Sequence, residues 1–205
     1  MTKIDIISGF LGAGKTTLIK KLLSEAFQNE KVVLIENEFG EIGIDGGFLK
    51  EAGIEADIVE DGKTFEENAL IKAKTIAEIC SLPTISDDSG LEVDALNGAP
   101  GVYTARFAGE HATDDENIDK LLAVLDEEEN RKARFVAHIT LVMENYEIHC
   151  EGTLDGEITR GRRGTNGFGY DPIFIADEYP GMTLADISEE QKNDISHRGK
   201  ALRAI

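Results

Sequence analysis

Residues 64–90 read TFEENALIKAKTIAEICSLPTISDDSG, and the period of the pattern changes partway along. Thr64 followed by Glu67 has the form of a capping box, the hydroxyl capping and the carboxylate at the third helical position. Phe65, Ala69, Ala73, Ile76, Ala77 and Cys80 then recur at helical spacing, which predicts an amphipathic helix to about Ser81. Pro83 to Ser86 reads as a short strand that delivers Asp87-Asp88-Ser89-Gly90 to its end. A helix running straight into a strand that ends on two carboxylates is an α/β unit. In open α/β sheets ligands sit at the carboxyl ends of strands.

Downstream, Leu91 to Leu96 alternates and Gly98-Ala99-Pro100-Gly101 turns. Thr113 and Glu116 form a second capping box, opening a helix through Leu125. The acidic run Asp126 to Glu129 reads as a solvated loop. Ala133 to Met143 and Tyr146 to Thr153 are two strands around Glu144-Asn145, an antiparallel hairpin. Arg160 to Arg163 is a basic patch. Gly164 to Gly169 is a glycine-rich loop leading through Tyr170-Asp171-Pro172 into a strand over Ile173 to Ile175. Ser188 and Gln191 open a short helix, and Ser196-His197-Arg198 leads into a last one.

Upstream, Ser8 to Thr17 reads SGFLGAGKTT, which fits G-x-x-x-x-G-K-[ST] without mismatch. Lys3 to Ile7 before it is strand-like, and Leu18 to Phe27 after it reads as a helix. Lys31 to Glu36 is a second strand, so residues 3–37 predict a parallel pair with a right-handed crossover. Backbone N–H groups at Gly9, Gly12, Ala13, Gly14 and Thr17 would surround phosphate oxygens at a helix N-terminus. Lys15 would reach the β- and γ-phosphates and the Thr16 hydroxyl would take a Mg2+ ligand position. The plain alternative is a strand-to-helix turn that binds nothing.

The 205 residues suffice for one large domain or two small ones, with 41% hydrophobic and 30% charged residues, an ordinary soluble composition. A net charge of −19 disfavours nucleic acid and anionic membrane surfaces as partners. No apolar run approaches the ~20 residues of a membrane span, and the N-terminus does not read as a signal peptide. A cytoplasmic location follows, with Cys80 and Cys150 as reduced, buried thiols.

Two resemblances are carried by motifs. Residues 4 to about 48, with GFLGAGKTT and then NEFGEIGID (37–45), resemble the N-terminus of the CobW-like metal-chaperone GTPases. The cysteine-rich metal motif, Walker B aspartate and guanine-reading loop of that family do not follow. DGKTFEENALIKAK (61–74), DDSGLEVDALNGAPGVYTARFAG (87–109), GFGYDPIF (167–174) and EEQKNDISHRGKAL (189–202) resemble, in this order, the inosine/xanthosine triphosphate pyrophosphatases. That second resemblance runs from about Leu49 to Ile205. It implies an α/β fold around a twisted mixed sheet and a homodimer. It also implies Mg2+-dependent cleavage of non-canonical purine nucleoside triphosphates to monophosphate and pyrophosphate. The family's usual Thr/Ser-Gly-Asn-x-x-Lys opening is replaced here. Together the two resemblances imply a chimera, engineered and without a native location, joined near Gly47 to Ala52. Residues 1–48 would be a grafted P-loop β-α-β fragment and 49–205 the remainder, forming one two-lobed domain with impaired turnover. The alternatives are a fold chimera that binds phosphate or another inorganic anion without turnover, and a GTPase.

The resemblance also assigns roles. Asp88 is the general base or a Mg2+ ligand, Asp87 supports it, and Glu60 completes the metal site with Thr16. Ser89 lies with the phosphate-binding residues. The plain alternative is a turn of solvated acids. Phe168 or Tyr170 would stack on a purine, with Asp171 or backbone groups around Gly169 reading its edge; otherwise they are a glycine turn and core aromatics. His197 and Arg198 would read a six-oxo purine, since Arg is a donor-only fork; otherwise they favour a helix dipole. Lys192 resembles a phosphate-contacting lysine; otherwise it is a surface lysine. His111, His138 and His149 read as structural.

Overall fold

The computed structural model describes residues 33–35 and 58–205. The glycine loop over 8–17, the elements expected at 3–7 and 18–27, and the proposed junction at 47–52 lie outside the described residues. Thr64 caps helix α1, Phe65–Cys80, its side chain accepting the Glu67 N–H at 3.1 Å. The return half of the box differs from expectation: the Glu67 carboxylate takes the Lys63 N–H at 2.6 Å, one residue ahead of the cap. The helix ends where Ser81 turns left-handed (φ 54°) and its N–H bonds to Ala77 O. Pro83 then prevents continuation. The apolar stripe is buried as predicted at Phe65, Ala69, Ala73 and Ile76.

Strand β2 runs from Thr84 to Val93. Asp87 to Gly90 therefore lie in mid-strand, not at a strand end. Turn-forming residue types favour reversal only where they can be solvated. Here every β2 residue but Glu92 is buried, as in strands covered on both faces. Strand β1, Val33–Ile35, pairs parallel with it, Val33 opposite Thr84 and Ile35 opposite Ser86. Strands β3 (Lys132–Val142), β4 (Glu147–Ile158) and β5 (Phe174–Ala176) complete a sheet of order β1-β2-β3-β4-β5. The Met143 N–H bonds to Tyr146 O at 3.0 Å, closing the tight connection that makes β3 and β4 an antiparallel hairpin. β4 and β5 pair antiparallel. Parallel and antiparallel pairs thus share one sheet, and the fold is α/β. In β4, Cys150, Leu154 and Ile158 are buried while Glu151, Asp155 and Glu157 are exposed, the period of a half-buried strand. Cys80 and Cys150 are both free thiols, Cys80 only partly buried.

Two compact units divide the chain, and the boundaries fall within β2, β3, β4 and the last helix. Residues 58–88, 138–151 and 201–205 belong to the first, 89–137 and 152–200 to the second. The second has its own core, in which Leu91, Leu121, Leu125, Phe135, Leu154 and Phe174 meet. Helix α2, Asp114–Val124, contributes Ile118 and Leu121, and its Thr113–Glu116 capping box is closed in both directions. Helix α3, Glu189–Ile195, opens on the equally complete Ser188–Gln191 box, and α4 spans His197–Arg203. The basic patch is divided among separate partners: Arg162 pairs with Asp115 and Asp119, Arg163 with Asp186.

At the β4–β5 pairing, Gly156 faces Ala176, and a Cβ there would lie 2.1 Å from Ile175 O and 2.8 Å from the Phe174 ring. Neither a ladder carbonyl nor a core ring can yield much. Gly156→Ala is therefore expected to destabilise the protein by about 2–3 kcal/mol, as overpacking does. Urea denaturation with an unchanged midpoint would show that the strand pair yields instead.

Candidate active site

Polar residues on the buried face of α1 build the first cluster. Asn68 and Lys72 are four residues apart, hence on one side of the helix, and both point with the apolar stripe toward β2. Lys72 Nζ lies 3.1 Å from Glu60 Oε2 and 3.4 Å from Asp88 Oδ1. Asn68 Nδ2 donates to Asp88 Oδ2 at 3.1 Å. The orientation of that amide follows from its other bond: its oxygen accepts the Gly62 N–H at 2.9 Å, so the nitrogen must face the carboxylate. The Lys72 side chain is only 3% exposed and that of Asp88 8%. Burial pushes the Asp88 carboxyl above its usual range; Lys72 pulls it down, Glu60 pushes it up, Asn68 lowers it and Asp87 raises it. Asp87 and Ser89 are buried beside it in β2, on the other face by strand alternation.

Among the described residues, no group of three or more His, Cys, Asp or Glu is arranged to hold a metal ion. The first cluster nonetheless suits Mg2+. Asp88 and Glu60 offer hard oxygens, and the carboxylates acting on Asp88 outnumber Lys72. Mg2+ takes one or two carboxylates and fills its remaining positions with water and phosphate oxygens. The third expected ligand, Thr16, lies outside the described residues, with Gly9, Gly12, Ala13, Gly14, Lys15 and Thr17.

The second cluster lies in the second unit. Asp171 opens a short 3-10 turn, Asp171–Ile173. Its carboxylate accepts the Phe168 N–H at 2.9 Å and the Lys192 ammonium. The approach needs a glycine: at Gly167, φ +78°, a Cβ would stand 2.0 Å from Asp171 Oδ2. Lys192 Nζ also sits 4.2 Å from the Phe168 ring centroid, within cation–π range. Asp171 is 2% exposed; burial pushes its carboxyl up, against the pull of Lys192 and the Phe168 N–H. Gly169 donates its N–H to Asp114 at 2.7 Å.

Tyr170 is not available to stack on a base. It is 4% exposed within the core, and its hydroxyl donates to Thr104 O at 3.0 Å. Of the two aromatics in Phe168-Gly169-Tyr170, only Phe168 keeps an accessible face. His197 stacks on Phe135, ring centroids 5.1 Å apart and planes within 15°. The residue keeps some exposure, but its Nδ1 is sealed and has no hydrogen-bond partner. Burial first, then Arg198, Lys192 and Lys200, hold the imidazole well below its usual pKa, so it is neutral. Arg198 follows it at the start of α4.

Asn68, Lys72, Asp114 and Phe135 belong to these clusters although sequence motifs do not single them out. The first pair had a signal: an amide and an ammonium falling inside the apolar stripe 65-69-73-76, where charged residues are rare unless paired. Phe135 and Asp114 had none, since each is placed by a long-range contact.

An α/β protein with two buried aspartates each paired with a lysine, one on an internal strand and one beside a partly buried aromatic ring, has the make-up of a small-molecule enzyme. The chain belongs to the Ham1 family, whose model matches residues 18–205. A dITP/XTP pyrophosphatase of Desulfotalea psychrophila is 45% identical over 189 residues, covering 92% of this chain and 84% of that protein. One from Vibrio cholerae is 42% identical over 192 residues, covering 86% and 94%. The solved Ham1 protein of Staphylococcus aureus superposes with a TM-score of 0.77 at 40% identity, covering 93% of this chain and 90% of that one. The family match begins at residue 18 rather than near 49. It gives no support to a CobW-like segment ending at 48, nor to a chimera joined there.

The neutral state of His197 has a measurable consequence. Below pH ~6.5 the unfolded imidazole takes up a proton that the folded one refuses. Stability is therefore fully present above that pH and falls as pH drops through the window, by at most about 1.4 kcal/mol per pH unit. Urea titrations between pH 7.5 and 5.5 should give a shallower slope for His197→Gln than for the parent. His111, His138 and His149 are common to both. Parallel curves would place His197 in contact with water.

Proposed function

We propose that this protein hydrolyses deoxyinosine, inosine and xanthosine triphosphates to the monophosphate and pyrophosphate. The observation that carries the reading is the buried Asp88, held by Asn68 and Lys72 beside Glu60, in a chain whose relatives at 42–45% identity are dITP/XTP pyrophosphatases. Water attacks the α-phosphorus and the bond to the bridging oxygen breaks. Pyrophosphate leaves, and the proton of the attacking water passes to the Asp88 carboxylate. Lys72 keeps a positive charge where the phosphate chain would otherwise meet only carboxylates. Asp88 and Glu60 would hold Mg2+, whose charge stabilises the phosphate oxygens. Asp87 and Ser89 support the strand segment on its other face.

The second cluster reads the base. Phe168 offers a ring face for stacking. Lys192 and Arg198 are donors without acceptor capacity, suited to the six-oxo group of hypoxanthine or xanthine. Adenine's amino group offers those donors no acceptor, which discriminates more strongly than a difference in shape. Asp171, its carboxylate already bonded to Lys192 and the Phe168 N–H, orients these two.

A second reading is favoured by one observation: the glycine loop over 8–17 precedes the residues that the family model matches. On that reading the loop over 8–17 acts as a phosphate loop at the front of a Ham1-family chain, gripping the phosphates through Lys15 and the backbone of Gly9 to Thr17, with Thr16 drawing Mg2+ toward the β- and γ-phosphates. Binding then survives and turnover is impaired.

Product analysis with dITP, XTP, dATP and GTP in Mg2+ separates the readings. Pyrophosphate from the first two supports hydrolysis at the α-phosphorus. Binding without product supports the second reading, and orthophosphate from GTP would indicate a GTPase. If the first holds, Asp88→Asn lowers kcat by about 10²–10⁴ through loss of the base. Lys72→Met destabilises the protein by about 3–5 kcal/mol in urea denaturation, because carboxylates are left buried without their counter-charge. A parental rate in Asp88→Asn would remove this cluster from the chemistry.

A further inference from the structure

The loop that carries Phe168 is held by two carboxylates on two different elements. Successive N–H groups are captured: Phe168 by Asp171, three residues on, and Gly169 by Asp114, at the start of α2 and 55 residues earlier. We propose that Asp114 is a positioning residue of the base-binding cluster, fixing through the Gly169 N–H the place at which Phe168 presents its ring. The proposal rests on the nucleotide reading above.

Three observations bear it. First, no side chain packs against the Cβ position of Gly169 itself. Gly169 is left-handed, φ +53°, and a Cβ there would meet nothing within 4 Å. The polar contact, at 2.7 Å and with a charged acceptor, is of the shorter and stronger kind. Second, the anchor is itself rigid. Asp114 is the first residue of α2, directly after the closed Thr113–Glu116 box, and Ile118 and Leu121 of the same helix are buried in the core. Arg162 ties that first turn down through Asp115 and Asp119. Third, the charge of Asp114 is felt inside the loop: it adds to burial in raising Tyr170, and acts on Asp171 as well. The ring between these holds is already engaged by Lys192 at 4.2 Å. Asp171 fixes the residue from one side and Asp114 fixes the next, so the backbone of Phe168 is defined at both of its peptide bonds.

The chain contains no Trp, so Phe168→Trp introduces a single tryptophan, excited selectively beyond the tyrosine absorption, at the ring in question. Combined with Asp114→Ala it should show lower emission anisotropy than in the Asp114 parent. Asp114→Asn, whose amide oxygen still accepts the Gly169 N–H, should keep most of the parental value. In steady-state hydrolysis of XTP by the chain with Phe168 intact, Asp114→Ala should raise KM about tenfold, the usual scale for losing one hydrogen bond to a charged group. Its kcat should change less than about threefold, and Asp114→Asn should restore KM to within about threefold. Thermal melting checks folding; if Asp114→Ala does not fold, Asp114→Ser, too short to reach Gly169, replaces it. Unchanged anisotropy on Asp114→Ala, a parental KM, or equal losses for the Ala and Asn variants would overturn the proposal. Should the parent release no pyrophosphate, the nucleotide reading falls, and the anisotropy comparison still decides whether Asp114 orders the loop.

Discussion

A lysine ammonium with 3% of its side chain exposed is the constraint from which much of the first unit follows. Removing an ion from water costs several kcal/mol even after relaxation, so Lys72 needs carboxylates at short range. It has Glu60 and Asp88. Asp88 must therefore lie where a helix covers it, which requires β2 to continue through the acidic pair rather than end there. α1 must present positions 68 and 72 inward, although neither is apolar. Residues 60–62 must double back against the helix, and Gly62 is needed for that: a Cβ would stand 2.5 Å from Asn68 Oδ1. Three segments are thus located by one charge.

The elements most legible in the sequence were those with local chemistry at their ends. α1, α2 and α3 each open on a hydroxyl cap with a partner three residues on, and each begins where that pattern places it. The hairpin was legible because two long apolar runs flank a two-residue turn. β2 was misjudged because Asp-Asp-Ser-Gly is turn chemistry in isolation, and only tertiary cover makes it strand. Phe168 and Tyr170 were equivalent candidates by sequence. The turn that begins at Asp171 separates them, sending one ring into the core and leaving the other at the surface. Lys72 shares its helix with other charged residues, and what marks it out is its place inside the apolar stripe, where it is buried with Asn68. At the N-terminus a complete glycine-loop motif outweighed weaker similarity in residues 18–48, where the family match already runs.

The two clusters solve the same electrostatic problem in different ways. Each pairs a buried aspartate with a lysine from a helix: Asp88 with Lys72, Asp171 with Lys192. Such pairs are weak evidence for stability, because well-packed apolar residues of similar volume often do as well or better. Their presence is better explained by use, since perturbed carboxyls in buried pairs concentrate at functional sites. The first pair has a second carboxylate at hand in Glu60 and so keeps an excess of negative charge, the condition for a cation and for proton transfer. In the second, Asp171 is taken up by Lys192 and a backbone N–H, and its effect is mechanical: it fixes Lys192 against Phe168.

The overall charge gives the lysines a further role. At −19 the protein's field repels a nucleoside triphosphate, and local charge must reverse that for binding to occur. The second cluster has such a reversal around His197, where Arg198, Lys192 and Lys200 all act to suppress protonation of the ring. A protonated imidazole there would add one more positive charge, but at the cost of burying it beside Phe135. Neutrality keeps the ring stacked on Phe135. On the proposed nucleotide reading, attraction of the substrate and the shape of the base site fall to different residues.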